Sequence, residues 1–179
     1  RRFENEGFVP LWDKLLATPR GQRMAVMAKV PFETITLGKI NREIKQDLGI
    51  QLGELIPGGP KLTPTQWQAW VTRFQGNGLE ITHTDWHHDA FRRDENGQAI
   101  SDIRFTIHLE RNKGLDRTEL KALVEVIWQE TETKISAKTI TLKSGRPARR
   151  VGPKAFVPVA VIEGQTDKPD QRDDMGAIS

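Results

Sequence analysis

All four histidines of this 179-residue chain fall between Leu79 and Arg111. His83, Asp85, His87 and Asp89 stand two residues apart, the spacing that sets side chains on one face of an extended strand at intervals of about 6–7 Å. His108 and Glu110 follow beyond the turn signal Asn96-Gly97. If the two halves pair as a hairpin, one polar face carries imidazoles and carboxylates from both strands. That donor set suits zinc or another first-row divalent ion, and a site with an open coordination position activates water. The candidate metal ligands are therefore His83, Asp85, His87, His108 and Glu110. A solvated face with cross-strand ion pairs accounts for the same residues, each pair contributing about 0.2–1 kcal/mol.

The hairpin must position these groups, and its register decides which side they share. Taking Asn96 and Gly97 as the two loop residues of a type I′ turn sets Glu95 opposite Gln98. Trp86 then faces Ile107, His88 faces Phe105 and Ala90 faces Ile103 on an apolar side. Asp89 faces Arg104, His87 faces Thr106, Asp85 faces His108 and His83 faces Glu110 on the polar side, with Phe91 opposite Asp102. A slip of one residue would set polar side chains against Phe105 and Ile107, so burial of one face selects this register. His88 turns inward and is expected to be a buried imidazole with a hydrogen-bond partner. The order His-x-Asp-x-His-His-Asp differs from the His-x-His-x-Asp-His of metallo-β-lactamase-like hydrolases. It designates no catalytic residue.

A second cluster is cationic. Lys143, Arg146, Arg149, Arg150 and Lys154 lie in a stretch without an acid, read as a basic loop that could neutralise phosphates. No aromatic residue is interleaved, and the stretch from Glu163 to Ser179 holds five acids and two bases. A solvated loop, docked on that acidic stretch, explains the same residues. No phosphate-binding glycine loop, nucleophile elbow or dinucleotide fingerprint occurs.

The elements around these clusters follow from pattern. Pro10–Ala17 reads as a short helix stopped by Pro19-Arg20-Gly21, and Arg23–Val30 fits a helix or a buried strand. Leu37, Ile40, Ile44 and Leu48 recur at helical spacing, with Gly49 as a C-terminal cap. Pro-Gly-Gly-Pro marks Gly53–Lys61 as a loop. Thr63–Gln75 carries Thr63 at the N-cap, Pro64 at the first position and Gln66 to close a capping box. Its stripe of Trp67, Trp70, Val71 and Phe74 needs an apolar partner, for which the Trp86, Phe105 and Ile107 side of the hairpin is expected. Leu120–Trp128 fits both periods, and its valine and isoleucine content favours a strand paired with Lys134–Leu142. Phe156–Ile162, with Pro158, reads as an edge strand.

Helices first and antiparallel strands second give α+β, with N-terminal helices packed on one face of an antiparallel β-meander, a plan like that of cystatin or nuclear-transport-factor folds. Residues 1–164 are expected to form a single domain and 165–179 a flexible polar tail. No run approaches the roughly 20 apolar residues of a membrane span. With no cysteine there is no disulfide, thiolate metal site or cysteine nucleophile. Arg1-Arg2-Phe3 lacks an initiator methionine, which suggests a processed or excised chain.

Trp86-His87-His88, Phe91, Ser101, Trp128, Arg150, Gly152 and Phe156 together resemble accessory domains beside FG-GAP/VCBS-type β-propellers in secreted bacterial proteins, over about residues 80–160. The resemblance implies a non-catalytic, extracytoplasmic module that supports or docks a neighbouring domain and needs no cofactor. The leading expectation is thus an accessory or interaction domain of a larger or multi-component bacterial assembly, with a protein partner. Binding of a divalent metal or small ligand on the His/Asp face, with hydrolysis as its extension, is the alternative, and nucleic-acid binding through 143–154 the second.

Overall fold

The computed structural model describes residues 2–41, 45–47 and 49–153. A π-helical turn, Glu4–Phe8, runs into α1 (Val9–Ala17); the chain breaks at Thr18-Pro19, where proline cannot continue a helix, and resumes as α2 (Arg20–Met27). Six short strands follow: β1 (Thr34–Thr36), β2 (Lys39–Ile40), β3 (Lys45–Asp47), β4 (Ile50–Leu52), β5 (Leu55–Ile56) and β6 (Lys61–Leu62). Then come α3 (Pro64–Gly76) and four long strands, β7 (Glu80–Arg93), β8 (Ala99–Arg111), β9 (Asp116–Glu130) and β10 (Ile135–Val151). The fold is α+β: helices lie on one face of a sheet whose long strands form an antiparallel meander, in the order β2-β5-β10-β9-β8-β7. Leu120–Trp128 is a strand, as its β-branched content predicts, and pairs with the following segment. Residues 154–179, including the expected edge strand Phe156–Ile162 and polar tail, lie outside the described residues.

Three expectations fail around β10, for one reason. This strand is 17 residues long, and its second edge needs partners. It receives β1 in parallel at Thr139–Thr141, β5 at Gly145 and β4 at Ala148–Arg150. β5 and β4, held on that edge, in turn pair with 39–40 and 45–47, and this pairing overrides the helical spacing that begins at Leu37, so both segments are strands. Gly49, at φ +76°, turns β3 into β4 and does not cap a helix. Part of the Gly53–Lys61 loop is strand β5 for the same reason. The basic stretch is likewise no loop, since 143–151 continues β10 against β9 down to Asp116. Pro147 is tolerated there because it lies between the ends of β5 and β4. Its carbonyl accepts from Gly53 N at 2.9 Å, and its missing N–H points to the same side, at the break between the two partners.

The hairpin forms, but its loop has three residues. Asp94 N donates to Gln98 O at 3.1 Å and Gly97 N to Asp94 O at 2.9 Å, while the Asp94 carboxylate accepts from the amides of Asn96 and Gln98. Gly97 at φ +78° supplies the left-handed residue of a type I turn with a G1 bulge, and Asp94 selects that turn over type I′. The register moves by one at the tip, so Phe91 faces Ser101 and turns inward while Ala90 faces Asp102 and turns outward, the reverse of expectation. A bulge at Asp89 moves it once more. Thr84 then faces Ile107, Trp86 faces Phe105 and His88 faces Ile103, two residues from the expected partners but on the expected sides. A further bulge at Thr82 brings Ile81 inward opposite Leu109.

Between helices and sheet lie two apolar clusters. One gathers Phe3 and Phe8 with Ile103, Val124, Val126 and Trp128. The other joins Met24 and Ala28 of α2 and Val71 of α3 with Ile81 and Ile107. The capping box of α3 is complete: Thr63 N donates to Gln66 Oε1 at 2.9 Å and Gln66 N to Thr63 Oγ1 at 3.4 Å. Its aromatic stripe meets the hairpin at Ile107 and Phe105 as expected, whereas Trp86 stacks on Phe8 and Phe105 in the first cluster. Trp67 N–H donates to Met27 O at 2.9 Å, which ties α3 to α2.

Arg23 ties the helices to the sheet edge. Its guanidinium donates to Thr18 O and Leu16 O, orphan carbonyls at the end of α1, and to Thr82 O on β7 at 2.8 Å. Arg23→Met keeps the aliphatic stem and loses all three bonds, so we expect a loss of about 2 kcal/mol in urea unfolding. A change under about 0.5 kcal/mol would show that water replaces these bonds without cost.

Candidate binding surface

The outer face of the sheet carries the histidine stripe. His83 sits opposite His108, Asp85 opposite Thr106, His87 opposite Arg104, and Glu110 opposite Glu80. Several of these groups find a neighbour on their own or the adjacent strand. His87 Nε2 lies 2.8 Å from Asp85 Oδ2, His108 Nε2 lies 3.2 Å from Glu119 Oε2, and Arg104 pairs with Asp89. The His83 and His108 rings meet edge to face at 5.3 Å between centroids. This face is open: the His87 side chain is 64% exposed and that of His108 44%. Strand geometry explains why the five candidate ligands do not converge. Neighbours along a strand face are about 6–7 Å apart, whereas zinc ligands converge to about 2.0–2.2 Å from one point. Among the described residues, no three His, Asp or Glu side chains come together as a metal would require.

Strand alternation likewise divides the basic stretch. Lys143, at a bulge, reaches Asp102 at 3.4 Å and Glu125 at 3.9 Å. Arg146 and Arg150 point to the outer face opposite Lys121 and Arg117. Arg149 points to the other face, and Lys154 lies outside the described residues. A single run in sequence is therefore three environments in space.

Arg149 serves a site that sequence reasoning missed. Asp116, at the first position of β9, is 5% exposed, and its carboxylate accepts from Arg149 Nε at 2.9 Å, Arg149 Nη2 at 3.0 Å and Arg111 Nε at 2.9 Å. Hydrogen bonds from the Arg149 guanidinium, helped by those of Arg111 and opposed by burial, hold the Asp116 carboxyl down at about 2. The same pairing raises Arg149. No local motif announces this triad, because its members come from three strands.

Among the described residues, the inner face holds the one Ser–His contact. Ser101 Oγ lies 2.8 Å from His88 Nε2 and accepts from Trp128 Nε1–H at 2.8 Å. The distances would suit a nucleophile and its base, but Ser101 is 0% exposed, beneath Trp128, and Phe8 stands edge-on to His88. The hydroxyl instead satisfies the buried Trp128 ring nitrogen and that of His88, which turns inward with a partner as expected but is half-buried. The close approach of Gly7 seals this core, since a Cβ there would come within 2.5 Å of the Trp128 ring.

At the end of the sheet away from the hairpin tip, the outer face dips into an open trough of about 270 Å³ that runs from Ile50 on β4 past Arg150, Arg117 and Glu119 to His108. No family model, curated protein or solved structure matches this chain. Among the described residues, no helix is long and apolar enough to cross a membrane.

Proposed function

We propose that this chain is a non-catalytic interaction domain, part of a larger or multi-component assembly, and that it presents the outer face of its sheet to a protein partner. The observation that carries this reading is the pairing of His87 with Asp85 and of His108 with Glu119 in the open, beside the sealing of the Ser101–His88 contact inside. Histidines in solvent, His87 and His108 each beside a carboxylate, suit recognition. Catalysis needs a water-excluded cavity with converging groups. The resemblance of Trp86-His87-His88, Ser101 and Trp128 to accessory domains of secreted bacterial proteins supports an extracytoplasmic setting.

Photo-crosslinking tests this in the producing cell. Benzoylphenylalanine at position 87 or 121, both exposed on this face, should yield one discrete protein adduct, whereas position 68 on α3 should not. Adducts of equal yield from all three positions, or none, would overturn the proposal.

A second reading rests on the 5.3 Å approach of the His83 and His108 rings, which offers two imidazoles to a divalent ion if one rotates. Zinc titration separates the two.

A further inference from the structure

Like charges directly opposite each other across a ladder destabilise a sheet. On the outer face, β9 and β10 set Arg117 opposite Arg150 and, two rungs on, Lys121 opposite Arg146. The nearby acids do not cancel this charge. Glu119 is engaged by Lys121 at 2.9 Å and His108 at 3.2 Å. Glu110 turns its carboxylate toward the 112–114 turn, with Oε2 3.5 Å from where a Gly114 Cβ would stand. Arg117 Nη2 donates to the carbonyls of Gly152 and Pro153, which fix the guanidinium without neutralising it. Among the described residues, Arg117, Arg146 and Arg150 form no ion pair with a carboxylate. Apolar side chains lie among them: Leu52, 41% exposed, faces Ala148, and Ile50 faces Arg150.

We propose that Arg117, Arg146 and Arg150, with Ile50, Leu52 and Ala148 between them, bind an acidic polypeptide segment of the partner. This rests on the reading of the outer face as a docking surface and names what docks there. Arg146 and Arg150 are four strand residues apart, about 13 Å. An extended segment with two carboxylates four residues apart and an apolar residue midway matches that spacing. Arginines around an apolar centre are the composition of protein interfaces. Nucleic acid fits less well, because a track of 6–10 phosphates would extend past the cations.

The test uses the full chain, ¹⁵N-labelled, titrated with the peptide GSDSLSDSG. Amides of 50–52, 117, 146 and 148–150 should shift, with a dissociation constant of about 0.1–1 mM. In the Arg146→Gln, Arg150→Gln double variant, binding should weaken at least fivefold, and the Asn-for-Asp peptide should not bind. Arg150→Gln should leave Tm unchanged or raise it by a degree or two, since it relieves a like-charge pair. Absent or scattered shifts, undiminished binding by the double variant, or equal binding of the oligonucleotide dT10 would overturn the proposal, as would a marked fall in Tm, which would make Arg150 structural. If position 121 still crosslinks its partner in the double variant, the docking surface stands and only the acidic-segment assignment falls.

Discussion

Replacing Asp116 with asparagine should lower stability by about 2–4 kcal/mol at pH 7 and remove a pH dependence. A carboxyl held at about 2 in the folded chain against an ordinary 3.8 corresponds to about 2 kcal/mol of stability at neutral pH. The amide also leaves Arg111 and Arg149 facing each other, a cost of about 3–5 kcal/mol where both ions are fully buried. Here it is smaller, because their side chains remain 35% and 42% exposed. The folded carboxyl stays ionised where the unfolded one already takes up its proton. The stabilisation is therefore full above about pH 5 and declines as pH falls toward 2. Urea unfolding at pH 7, 5, 4 and 3 should show wild type converging on Asp116→Asn as pH drops. Parallel curves across that range would mean that Asp116 is not stabilised by its two arginines.

Ser101→Ala should cost about 2–4 kcal/mol, although it deletes a single oxygen from a fully buried position. It leaves the buried Trp128 indole N–H without its partner, worth about 1–3 kcal/mol when stranded in a core, and takes the same partner from the half-buried His88 ring nitrogen at a smaller cost. A double-mutant cycle with Trp128→Phe should show strong coupling, since the second substitution removes one of the stranded groups. Additive losses would mean that Ser101 and Trp128 act separately. A fluorophosphonate serine probe should leave Ser101 unlabelled, and labelling would reveal a nucleophile that the core does not seal.

The helix–sheet plan was legible because its strongest signals were local: the Thr63/Gln66 capping box, the β-branched run Leu120–Trp128 and the alternation around Trp86-His87-His88. The faces of His83, Asp85, His87 and His88 were also readable, since a register error of two residues preserves them. Phe91 was not, because the G1 bulge at Gly97 and the extra residue at Asp89 are single-residue events that invert a face. The strands at 39–40 and 45–47 were hidden because they pair with β5 and β4, which are themselves held by the edge of β10 far along the chain. Asp116 between Arg111 and Arg149, and the Arg117–Arg150 pair, depend on strand pairing, which composition does not encode.

The central claim is that the histidine face is an open surface of paired groups and not a metal or catalytic centre. Calorimetric titration of zinc into the wild-type chain at neutral pH tests it most directly. The account predicts no stoichiometric binding at tens of micromolar metal. One-to-one binding with a dissociation constant below about 10 μM, corresponding to about 7 kcal/mol and lost in His87→Ala or His108→Ala, would contradict it.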